Sequence, residues 1–179
     1  MSQIDNAIEV LKEKCGFQVV SGTTWNDGDF SRFTELTGFS IPNQLADVLR
    51  RYGQSGTEYN DYFLVEDRDG GRFVHDVQVL ISTFDIIVER HETFISQSVW
   101  EDQFTLPMVF FGSADSGHSY LLADGINSEN NAVYFWQRAT DPFGTDNNSK
   151  GIIRLADSLT DVGFHAELSR FFHREVSHL

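Results

Sequence analysis

Three short apolar runs in the second half of the chain, Met108–Phe111, Ser119–Ala123 and Ala132–Gln137, constrain the fold more than any other feature. Their separators, Gly112–Gly117 and Asp124–Asn131, are dense in Gly, Asn, Asp and Ser, the residues of tight turns. This is the pattern of successive sheet strands. An earlier pair, Tyr59–Glu66 and Phe73–Leu80, is rich in aromatic and β-branched residues. Asp69-Gly70-Gly71 lies between its members, and the pair reads as a hairpin. Ile152–Leu155 is a candidate closing strand.

Helical periodicity frames these strands. Ser2 can cap a first helix carrying Ile4, Ile8, Leu11 and Cys15 on one face, with Gly16 as its stop. Residues 17–30 read as a loop or short hairpin, and 31–37 as a short helix ended by Gly38. Ile41-Pro42 opens a clearer helix, because proline is preorganised for the first helical position. Leu45, Val48, Leu49 and Tyr52 form its stripe and Gly53 ends it. Thr83 to about Ser98 reads as another helix, with Phe84, Ile87, Val88, His91 and Ile95 on one face and Ser82 or Thr83 able to cap it. A last helix is expected over about Asp157–Glu175. No repeat or linker interrupts the order. The expectation is an α+β fold in one domain spanning 1–179, with a mixed, mostly antiparallel sheet packed by helices.

Charge narrows the partners. The 179 residues hold 27 acids against 13 Lys and Arg, a formal net charge of −14. Such a chain lacks the cation clusters that neutralise phosphates, so direct binding to nucleic acid or to an anionic membrane surface is not expected. No apolar run reaches the roughly 18 residues that span a bilayer. The N-terminus has neither a basic nor an apolar signal region, so a cytoplasmic location is expected. Cys15 is the only cysteine, which excludes an intrachain disulfide and a cysteine-based zinc site.

Motifs for chemistry are sparse. Gly112-Ser113-Ala114-Asp115-Ser116-Gly117-His118 groups a serine, an acid and a histidine, but Ala114 stands where a nucleophile elbow has glycine. The reading preferred here is a tight strand connection with glycines at positive φ and Asp115 satisfying backbone amides. Asp146 to Asp157 imitates a calcium loop but places Lys150 at its fifth position, where its charge repels the ion. The six histidines make no HExxH pair, and no Walker A or Rossmann fingerprint occurs. Neither metal nor cofactor is expected. Phe110-Phe111 and Tyr134-Phe135-Trp136 read as core strand residues.

One charge pattern stands out. From residue 91 to 137 there is no Lys or Arg, while Glu92, Glu101, Asp102, Asp115, Asp124 and Glu129 all fall there. Tyr52–Asp67 likewise holds Glu58, Asp61, Glu66 and Asp67 without a base. Turns of a sheet gather at its ends, where these acids can focus a negative potential.

In order along the chain come Gly38-Phe39-Ser40-Ile41-Pro42, the helix end Leu49-Arg50-Arg51-Tyr52-Gly53, and Phe110-Phe111-Gly112-Ser113-Ala114-Asp115-Ser116-Gly117. Val133-Tyr134-Phe135-Trp136 and Leu155-Ala156-Asp157-Ser158-Leu159 follow. Over about residues 25–173 this set resembles the SMI1/KNR4 family of the SUKH superfamily. Gly53 stands where that family often has asparagine, and His118 where an acid often follows the turn. The resemblance implies an α+β domain and, in bacteria, a frequent role as immunity protein for a secreted toxin, commonly a nuclease. Such a protein binds and occludes its toxin and catalyses nothing. Asp115, which lies in the resembling turn, leads the candidate contacts to a basic toxin domain, followed by Glu101, Asp102, Asp124 and Glu129. Trp136 is assigned to the core. Other members of the family act in signalling or cell-wall control, so a regulatory scaffold is the second reading. A small hydrolase using Ser116 or Ser113 with His118 is the third.

Overall fold

The computed structural model describes residues 2–57, 63–68, 71–96, 104–138 and 151–161. Helix α1 spans Gln3–Cys15. Ser2 caps it by accepting from the Asp5 amide, and the Asp5 carboxylate returns the bond to the Ser2 amide. Strand β1 (Phe17–Val19) follows, then α2 (Asp27–Thr37). α2 starts four residues before the short helix expected over 31–37, because Asn26 and Asp29 form a second reciprocal cap. The loop expected over 17–30 therefore contains both a strand and a helical turn. Helix α3 is Asn43–Arg51, with Pro42 just outside the first turn rather than within it. Gly53 closes it at φ 63°, and a Cβ there would sit 2.5 Å from the Thr23 backbone, so no asparagine fits.

The strands are β2 (Ser55–Thr57), β3 (Phe63–Arg68), β4 (Gly71–Ile81), β5 (Met108–Ala114), β6 (Ser119–Asp124), β7 (Val133–Gln137) and β8 (Ile152–Ala156). Between β4 and β5 lie α4 (Phe84–His91) and a π-helical turn over Glu92–Ser96. The last helix predicted over 157–175 is seen only as a turn at 159–161, and the rest lies outside the described residues. The sheet order is β1-β2-β4-β5-β6-β7-β8, with β3 paired to the first half of β4 as the expected hairpin. Every pairing among the described residues is antiparallel. The α+β expectation holds.

Strand alternation sends neighbouring side chains to two separate cores. Val109, Phe111, Leu121, Ala123, Val133 and Phe135 pack against α1, α3 and residues Trp25, Phe33 and Ile87. Phe110, Tyr120, Leu122 and Trp136 face the other way, onto Phe94 and Phe104. Trp136 is fully buried, with ring centroids 5.0 Å from Phe104 and 5.3 Å from Phe94. Such pairs contribute about 0.5–1.5 kcal/mol each beyond area burial. A sheet covered on both faces explains why these strands read as continuous apolar runs.

The Gly112–Gly117 separator is a turn only in part. β5 runs on to Ala114, and Gly112 sits at a bulge beside β4. A Cβ there would lie 2.4 Å from the Leu80 carbonyl oxygen. Gly112 is thus a close-approach glycine inside a strand.

Candidate partner-binding surface

The connectors of β6 carry the acids expected to act. At its start, Asp115–Gly117 make one tight turn in which Asp115 (φ 51°), Ser116 (φ 55°) and Gly117 (φ 85°) are all left-handed. Two consecutive non-glycine residues in this region are costly and need outside support. Asp115 Oδ2 supplies it, lying 2.8 Å from His75 Nδ1 and accepting from the Ser119 hydroxyl at 2.6 Å. His75 and Ser119 are buried, and the His75 ring also packs on Phe135 at 4.3 Å. Asp115 is therefore a buried-side anchor of its turn: its carboxylate holds two side chains where backbone amides were expected, and its main-chain carbonyl accepts from the His118 amide at 3.1 Å.

This arrangement differs from a nucleophile and base. The carboxylate is central and accepts from both partners, so His75 Nδ1 is bonded to the acid and not to the Ser119 hydroxyl. Ser116 and His118, the pair read from the sequence, are both exposed, and the histidine at Asp115 is His75 instead. His75 lies forty residues from Asp115, which hid the pair from motif reading. Its signal was register: His75 shares a strand face with Val77. A polar residue in that row requires a partner.

At the other end of β6, roughly 17 Å away at strand rise, the 124–131 loop begins. Asp124 Oδ1 accepts from the Ile126 and Asn127 amides at 2.8 and 2.9 Å, and Oδ2 accepts from Asn130 Nδ2 at 2.9 Å. Partial burial opposes ionisation of Asp124, but these donors outweigh it and hold the carboxyl below its ordinary value. The loop then caps α3, whose Pro42 offers no side-chain cap. Ser128 O accepts from the Asn43 amide and Asn131 Oδ1 from the Gln44 amide, both at 2.8 Å. Glu129 is exposed, and its Oε1 accepts from Asn43 Nδ2 at 2.8 Å. Asn43, Asn130 and Asn131 are the supporting residues that motif reading missed. Their side-chain acceptors and donors at turns were the available signal.

Of the five predicted contacts, Asp124 and Glu129 share this loop, while Asp115 lies at the opposite end of β6. Glu101 and Asp102 lie outside the described residues, as does the calcium-like stretch from Asp146 to Lys150. Asp157, at its end, pairs with Arg154 at 2.9 Å. The two arginines that bracket the base-free interval meet the second aromatic core: Arg90 lies over Tyr120 and Arg138 over Phe94. Among the described residues no group of three or more His, Cys, Asp or Glu is placed to hold a metal ion. No helix among them is long and apolar enough to cross a membrane.

Comparison with known proteins bears on what this surface is for. Residues 25–162 match the SMI1 / KNR4 family (SUKH-1). Curated proteins give no match.

Proposed function

The chain belongs to the SMI1/KNR4 family (SUKH-1), and from that premise we propose that it is an immunity protein that binds and neutralises a cognate secreted toxin domain. The family match over most of the chain carries this reading. Its partner is a protein with a basic surface, a nuclease being the class whose cleft must attract phosphate. The net charge of −14 and the acidic, base-free connectors between residues 91 and 137 support it, since complementary fields speed association and bias specificity. Binding occludes the toxin, and the chain itself catalyses no reaction. Glu129 is the exposed acid of the described candidates, and Glu101 and Asp102 are also proposed as contacts. Asp115 and Asp124 add to the same negative field while holding their turns.

The test begins with the neighbouring gene, which should encode the C-terminal domain of a large secreted protein. Co-expression of this chain should restore growth to cells that the domain alone kills. The purified pair should associate more slowly as salt rises. Failure to protect cells, together with no complex between the purified proteins, refutes the reading.

A further inference from the structure

Among the described residues, Ile126 and Leu36 are the most exposed large apolar side chains, at 64% and 52%. A lone exposed aliphatic residue needs no explanation, but these two flank one junction. Leu36 lies in the last turn of α2, four residues before Ser40. The Ser40 amide donates to Gly125 O at 2.8 Å and its hydroxyl donates to Ile126 O at 3.1 Å. The Phe39 ring lies so close to Gly125 that an added Cβ would stand 2.8 Å from it. The end of α2, the start of α3 and the 124–131 loop thus form one corner.

We propose that this corner is where the toxin domain docks, with Ile126 as the apolar anchor and Leu36 beside it. The proposal rests on the immunity reading and specifies its partner surface: an apolar recess bordered by Lys or Arg. Two observations argue for that occupant. The Ile126 amide is held by Asp124, the Glu129 amide by Asn127 Oδ1 at 3.1 Å, and the loop by its caps on α3. The anchor is therefore presented in a fixed conformation, and ordering it on binding costs little. Its border is acidic: Glu35 adjoins Leu36, Glu129 is pinned by Asn43, and both are exposed. The cation of α2, Arg32, lies instead over the Phe84 ring of α4. Charge and shape together favour a basic, apolar-centred partner.

Binding kinetics of the full chain with the neighbouring gene's toxin domain test this. Ile126→Ser should raise Kd about tenfold or more, through faster dissociation, with the salt dependence unchanged. Glu129→Gln should instead slow association and flatten the salt dependence. Both side chains are exposed, so thermal midpoints should stay at the unaltered value. Ile126→Ser and Leu36→Ser each leaving Kd within twofold would overturn the docking site while the immunity reading stands. An unaltered chain that does not bind the toxin domain overturns the immunity reading, and the site with it.

Discussion

Replacing Asp115 separates a turn anchor from a toxin contact. Its Oδ2 serves two buried groups, His75 Nδ1 at 2.8 Å and the Ser119 hydroxyl at 2.6 Å. In Asp115→Ala both lose that acceptor, and a buried group left so costs about 1–3 kcal/mol. Alanine also tolerates the left-handed conformation at φ 51° poorly, adding about 1 kcal/mol. The carboxylate side chain is 28% exposed, so water can replace part of what is lost. The expected cost is then about 2–4 kcal/mol, roughly 4–16 °C in Tm for a chain of this length. Asp115→Asn keeps the shape, an acceptor oxygen and tolerance of positive φ, and should cost about 1–2 kcal/mol. Urea unfolding at neutral pH measures both. Combined with His75→Phe, Asp115→Ala should cost less than the sum of the two single changes, by about 1 kcal/mol or more. An Asp115→Ala variant within about 0.5 kcal/mol of the unaltered chain would refute the anchor.

Gly112→Ala places a methyl 2.4 Å from the Leu80 carbonyl oxygen and 2.9 Å from Leu121 Cδ1. With backbone on one side it should cost about 3 kcal/mol, and an unchanged thermal midpoint would show that β4 and β5 are not this close. His91 is buried at the end of α4, edge-on to Phe39 at 4.8 Å, and Nδ1 has no hydrogen-bond partner among the described residues. Burial lowers its pKa, with Glu92 opposing. The unfolded chain then takes up this proton first, so the contribution is complete above the ordinary value of 6.5 and is lost as pH falls through the lowered one. His91→Leu should flatten the stability–pH curve below 6.5 relative to the unaltered chain, and parallel curves would contradict the assignment.

Sequence legibility followed the range of the interactions. Ser2, Gly16, Thr83 and the strand runs act within a few residues, and the elements they bound were readable. α2 was readable only over 31–37, from its Gly38 stop, because the reciprocal cap of Asn26 and Asp29 sits in a polar stretch that also suits a loop. Gly112-Ser113 has turn composition but lies in a strand, since its role is to let β5 approach β4, which local pattern does not show. The candidate site divided in the same way. The acids were visible, whereas the partners that decide their roles are far away in sequence: His75 for Asp115 and Asn43 for Glu129.

The base-free interval also has a cause that precedes function. It contains β5, β6 and β7, whose side chains are buried alternately in two apolar cores. Lys or Arg at most of those positions would leave a charge in low dielectric without a partner, so packing alone keeps them out. Their absence from the strands therefore says nothing about a partner. What remains informative is the connectors, where a cation would be tolerated and none occurs. There Asp115 and Asp124 are spent on their own turns, one through His75 and Ser119, the other through the Ile126 and Asn127 amides. Glu129 holds no turn of its own; it reaches across to Asn43 at the start of α3, beside an exposed Ile126. An exposed acid beside an exposed aliphatic residue, on a loop this heavily hydrogen-bonded, is what remains once folding has accounted for Asp115 and Asp124. A steered association would be read from that corner, so salt dependence should fall more for Glu129→Gln than for Asp115→Asn among variants that still fold.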